Sequence, residues 1–352
     1  MTFSISSGSG EFSLRSRVAN YLAPAAALTY PLTLSSFHAS VNALQAGSLL
    51  TAASIAATVS LALAFGLAGL ILITAMSLAA VEKPNALQLR AKQVAFLSVA
   101  APTIFVFMGV LLYMAGNPVP DEMVWSVIWV SAIFYVSRGD RGLAKTVPAR
   151  AAPSLRVAHG VSALAIILIF LGLHLSNHLV GLAGPDAHAA VMKVARIVYR
   201  AKAIEPVLVG LFLFQAGSGL WLIHRSLAQP MDRFRAFQLA SGMYLAFYVV
   251  GHMDSVFIYA RTYLGADTTW VWASGGSAGL IRDAWNVRLI PHYWLGVFFV
   301  LAHLSAGLRV VLLAHGWRKV IADRIMISGS LVGGLVATLI MLAMCGMRVH
   351  FV

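Results

Sequence analysis

The sequence predicts an all-α fold, a polytopic integral membrane bundle, on three observations. Of its 352 residues, 60% are hydrophobic and only 11% charged, against roughly a quarter charged in an average soluble domain. Mean hydropathy is +0.83. The apolar residues also fall in runs, such as 49–80 and 325–347, long enough to cross ~30 Å of hydrocarbon at about 1.5 Å per residue. A lipid bilayer is therefore the first partner that the composition demands.

Nine spans are expected, at 21–44, 49–80, 94–116, 123–137, 157–183, 204–223, 236–260, 291–314 and 326–347. A polar tail, 1–20, precedes them. No small-residue cleavage site follows a compact apolar core near the start, so 21–44 is read as a span rather than a cleaved signal. The basic, Gly- and Pro-containing stretch 138–156 reads as a linker. It joins an N-terminal four-span part, 21–137, to a C-terminal part, 157–352, made of a four-helix core at 157–314 and a final helix at 326–347.

The net charge of +13 does not gather into one soluble patch, which excludes nucleic acid as the natural partner. The basic residues sit between apolar runs, as topogenic charges do. With the N-terminus inside, 16 of the 25 Lys and Arg fall on the inner side and 8 on the outer, leaving Arg309 within the eighth span. That asymmetry predicts N-in and C-out in a bacterial inner membrane. The single cysteine, Cys345, excludes an internal disulfide framework. Between spans, 188–200 has the pattern of a short helix in the headgroup layer. The loop 262–290 carries Trp270, Trp272 and Trp285, which read as an aromatic interfacial belt ahead of a binding lid.

The chemistry concentrates after the linker. His174 lies seventeen residues into span five and His252 sixteen residues into span seven. Both spans run inside to outside, so the two imidazoles share a depth near the outer face. A haem iron takes one axial nitrogen on each side of its plane, and facing helices of a bundle can supply them. A lone intramembrane histidine more often serves packing or hydrogen bonding, and two at one depth weaken that alternative without removing it.

Spans six and eight share a short repeat. Gln215 and His303 stand 88 residues apart, as do Gly219 and Gly307, giving Q/H-x-x-x-G-L twice. Each glycine lies on the face of its Gln or His, where it admits either a flat macrocycle or a neighbouring helix. Gln is a poor haem ligand, so this inner position is not a bis-histidine site.

The motifs together resemble the cytochrome b membrane anchor of succinate dehydrogenase and fumarate reductase, the SdhC-like domain, over about 155–315. His159, His174 and Asn177 match its first helix; Ile204-Glu205 and Gln215-x-x-x-Gly219 its second. Ser241-Gly242 followed by His252 matches the fourth, and Gly296, His303 and Gly307-Leu308 the fifth. The HLSNHLVGL segment is also similar to SdhC-like domains that precede bacterial adenylate cyclases. The resemblance implies His174 and His252 as axial ligands of an outer haem b. It leaves His303 facing Gln215 at an inner position that is vacant, altered or used for quinone. Flavoprotein and iron–sulfur subunits, or a signalling partner, would be separate chains.

Other candidates accompany that pair. His178, four residues after His174, has chelating spacing, but no carboxylate or Cys in its span completes a site. As an alternative, it ligates the iron or hydrogen-bonds a propionate. Arg309 can bind a propionate or a quinone carbonyl, or pair with a neighbouring helix. Asp254 is expected to pair with an interfacial base ahead of serving a proton relay. His159 and His292 are interfacial and receive no chemistry. Without a nucleotide loop or a nucleophile–base arrangement, the chain is not expected to catalyse alone. The expectation is a membrane cytochrome b with one bis-histidine haem, exchanging electrons with the quinone pool or sensing redox state; the alternative is a non-redox scaffold or transport-related protein with the same fold.

Overall fold

The computed structural model describes residues 9–46, 50–140, 142 and 153–349. Most of the expected 138–156 linker, part of the N-terminal tail and the side chains of Arg15 and Arg17 lie outside the described residues.

The N-terminal part comprises α1 (Ser9–Gln45), α2 (Leu50–Ala79), α3 (Ala86–Val99), α4 (Ala101–Met114) and α5 (Asp121–Ser137). After the linker come α6 (Pro153–Ala183), α7 (Pro185–Tyr199), α8 (Ile204–Ser226) and α9 (Arg233–Tyr263). Two one-turn helices, Trp270–Ala273 and Gly279–Arg282, then lead to α10 (Leu289–Ala314) and α11 (Lys319–Met344). Among the described residues there is no strand.

Six helices are long and apolar enough to cross a membrane, α2, α6, α8, α9, α10 and α11, or seven if α3 and α4 make one broken span. The expected count of nine therefore stands at six or seven on length and composition. The helix α1 is long but more polar, and α5 has 17 residues, about 25 Å at 1.5 Å per residue.

The third expected span, 94–116, is not one straight rod. Its helix begins earlier, at Ala86, under a capping box in which Asn85 and Gln88 satisfy each other's backbone N–H. At Ala100 the axis bends by 65°. Pro102, in the first turn of α4, supplies the reason: it lacks an N–H and its ring crowds the carbonyl four residues back.

One helix organises the rest. α9 packs against α8 and α10 of its own part, and also against α2, α3 and α4. A single hydrophobic core therefore runs through both parts, from Ala27 and Phe96 to Tyr244 and Leu295. α11 lies along α10, and α6 along α8. Arg288 at the start of α10 donates to Asp121 of α5 at 2.9 Å, with both side chains largely buried. Its guanidinium also lies 4.8 Å from the Phe105 ring and 4.1 Å from that of Trp285. Arg309 pairs with Asp323 of α11 at 2.6 Å and sits 4.4 Å above Phe234, so it takes the neighbouring-helix pairing.

Candidate functional site

The two histidines singled out by depth come together. His174 on α6 and His252 on α9 have ring centroids 6.1 Å apart, with planes inclined at 67°. Both are half-buried. Local irregularities frame each: residues Ile167–Leu171 of α6 and Asp254–Tyr263 of α9 are wound as π-helix. Such segments re-aim the side chains beside them and recur at functional sites.

Aromatic groups hold both imidazoles. Phe170, one turn before His174, stacks on it at 4.6 Å. Tyr248, one turn before His252, stacks almost parallel to it at 5.7 Å, and Tyr293 meets it edge-on at 6.3 Å. Tyr248 also contacts His292 at 4.7 Å. Gly296 makes room for Tyr248, because a Cβ there would overlap the Tyr248 ring.

The row of histidines continues beyond the pair. His178 lies 4.7 Å from His174, and His188 of α7 lies 5.5 Å from His178. Asn177 Nδ2 bonds His188 Nε2 at 3.0 Å. Trp270 closes this end: it is buried, 4.6 Å from His188, over Gly181, whose missing side chain leaves space for the indole. The belt reading of loop 262–290 therefore fails for Trp270, which covers the histidines. Nδ1 of His178, His188 and His292 is buried without a hydrogen-bond partner. His188 is held neutral, its pKa lowered to about 4 by burial and by the Arg196 guanidinium. An apolar groove of about 390 Å³ runs between α6 and α8 beside this cluster, lined by Leu168, Leu173, Ile204 and Val207 among others.

The two arms of the repeat turn to different partners. Gln215 Nε2 donates to His159 O at 2.7 Å and Ser162 Oγ at 2.6 Å, whereas His303 Nδ1 reaches Gln238 O at 3.1 Å and Ser241 Oγ at 3.0 Å on α9. His159 is not a free interfacial residue: its Nδ1 bonds Ser218 Oγ at 2.8 Å, and Ser218 in turn donates to Phe214 O. Both imidazoles thus direct Nδ1 at an acceptor, and among the described residues Nε2 of neither has a hydrogen-bond partner. A Cβ on Gly219 would meet His159 at 3.5 Å, an ordinary contact, and one on Gly307 meets no protein atom within 4 Å. The tight glycine at this end is Gly242, whose Cβ would lie 3.0 Å from His303.

Among the described residues Asp254 has no basic partner within ion-pair distance: it is buried and Oδ2 has no hydrogen bond. Among the described residues, no group of three or more His, Cys, Asp or Glu is arranged to hold a metal ion. That leaves His174 and His178 without a third ligand. The roles of His188 and Trp270 were hidden in the sequence because both stand in extramembrane segments whose docking no span periodicity reports.

Comparison with known proteins finds no match: no family model, no curated protein and no solved structure matches the chain.

Proposed function

We propose that this chain is a membrane-embedded b-type cytochrome in which His174 and His252 hold one haem b. The observation that carries this reading is the 6.1 Å between the two ring centroids. An imidazole nitrogen binds a metal at about 2 Å, so two rings about 6 Å apart would be spaced to hold one iron between them. The pair comes from two different helices, as ligation of both faces requires. Half-burial leaves the two rings reachable from outside the packed core.

The bound haem would supply one-electron transfer, and the protein's part is ligation, burial and tuning. Phe170 and Tyr248 orient the two rings, Gly296 admits Tyr248, and Trp270 closes the far side of the histidine row from solvent. The apolar groove beside Leu173 suits a quinone tail. With N-in topology this site faces the outer half, and the chain passes electrons between a partner subunit and quinone or reports redox state to a signalling partner. The SdhC-like resemblance points the same way.

A second reading, a non-redox scaffold or transport-related protein, draws on the opposite end. There Gln215 is spent in hydrogen bonds to α6 and faces no vacant coordination position. Absorption spectroscopy separates the two. Protein purified from haem-sufficient cells is expected to show a Soret band and a sharp reduced α-band, lost in both His174→Ala and His252→Ala and kept in His178→Ala. Colourless, folded wild-type protein would refute the cytochrome reading.

A further inference from the structure

At the end of the bundle away from His174, α6, α8, α9 and the α8–α9 loop frame an open recess of about 400 Å³, in which three arginines are joined by the neutral Ser226 and Gln229 and no acidic residue lines the wall. Arg156 enters from the first turn of α6, Arg225 from the last turn of α8 and Arg235 from the first turn of α9. Arg156 stands close enough to Arg235 for the two guanidiniums to repel. Among the described residues, none of the three has a carboxylate within ion-pair distance. The nearby Asp232 is turned to capping, its Oδ1 accepting the Arg235 backbone N–H at 2.8 Å, although its charge still offsets part of the field on Arg235.

The recess is built rather than a chance surface hollow. Arg235 is aimed by Gln238 Oε1 at 2.8 Å and Ser226 Oγ at 3.5 Å. The floor is the loop through Gln229, whose carbonyl accepts from Lys92 Nζ at 2.8 Å, while Met231 N ties the loop to Ala79 O at the end of α2. Lys92 is fully buried and among the described residues has no carboxylate within ion-pair distance. It adds a fourth cation behind the recess. Gathering like charges this way costs energy unless an anion shares the site. Guanidinium forks match a phosphate group bidentately, and basic pockets between membrane helices accept phospholipid headgroups.

We propose that this recess is a phosphate-binding site, independent of the histidine pair, in which Arg156 and Arg225 are the direct ligands and Arg235 the oriented third. The phosphate belongs either to an anionic phospholipid or to a free phosphate, and one experiment separates these. The full-length protein, delipidated in detergent, is returned to phosphatidylglycerol or phosphatidylcholine and examined by native mass spectrometry. In parallel, its melting temperature is followed against inorganic phosphate. Preferential retention of one phosphatidylglycerol, weakened roughly a hundredfold in Arg156→Gln/Arg225→Gln by loss of two charge-assisted contacts, identifies the lipid. No lipid preference, but stabilisation by inorganic phosphate that the double variant loses, identifies the free ion. Equal response of the double variant and wild type, or no response to either probe, overturns the proposal. Among the described residues Arg156 and Arg225 make no hydrogen bond to protein, and Arg225 only lies over the Trp221 ring at 5.3 Å, so the variant is expected to fold; the single variants, each weakened about tenfold, carry the test if it does not. Arg282→Gln, in the loop after α9, serves as the unaffected control.

Discussion

His252 is held by ring contacts on several sides: Tyr248 stacks on it, Tyr293 meets it edge-on and His174 lies across from it. Tyr248 keeps its place only because residue 296 is glycine. Gly296→Ala is therefore expected to force the Tyr248 ring aside and to cost about 1–3 kcal/mol, as overpacking of a filled interior does. Thermal unfolding in detergent measures it. Gly334→Ala, whose Cβ would meet its nearest neighbour at 3.9 Å, should change the melting temperature little. The proximity of Gly296 to His303 in sequence concealed this, since nothing in the motif says that the ring to be accommodated belongs to another helix.

At the scale of elements, α7 is the piece whose attachment depends on pH. His188 is buried on its inward face, bonded by Asn177 and lowered to about 4 by burial first and Arg196 second. Its unfolded value is near 6.5. Between these values the undocked form binds more protons than the docked one, so stability rises with pH across the window. The contribution is complete above about pH 6.5, declines as the pH falls towards 4, and amounts to roughly 3 kcal/mol at most. Protection factors across α7, with exchange corrected for its intrinsic pH dependence, should fall as the pH drops through that window in the wild type and show a flatter profile in His188→Gln. The amphipathic pattern of 188–200 foretold a helix, and the structure places one at Pro185–Tyr199. It could not foretell that the buried edge of this helix would meet His178 and Trp270, because those contacts need α7 to fold back on α6 and the loop after α9 to return over it.

At the scale of the molecule, the two parts divided by the linker share one core, with α9 as the common wall. The Arg288–Asp121 pair fastens α10 to α5 across that division, at side-chain exposures of 10% and 16%. Asp121→Asn is expected to cost about 3–5 kcal/mol by leaving Arg288 buried and unpaired. The double variant Asp121→Leu/Arg288→Met should recover much of it, a pattern that chemical denaturation of the three variants would reveal. The charge asymmetry makes a separate whole-molecule prediction. A C-terminal alkaline phosphatase fusion should be active and a C-terminal fluorescent-protein fusion dark in bacterial cells; the reverse result would invert the topology.

The sequence by itself determined the class of fold, most of its apolar helices and the two histidines worth comparing, because bilayer thickness and helical rise convert apolar length and residue counting into depth. Depth is one coordinate of three. Which helices neighbour one another, how far each is rotated, and where loops return were decided only by tertiary packing. That is why His174 and His252 could be matched in advance, while Gln215 and His303, matched by the same arithmetic, turn to different partners. The 65° bend at Ala100, the burial of Lys92 and the convergence of Arg156, Arg225 and Arg235 belong to the same category. Each depends on the angular setting of helices far apart in sequence, which side-chain interlocking selects and composition does not encode.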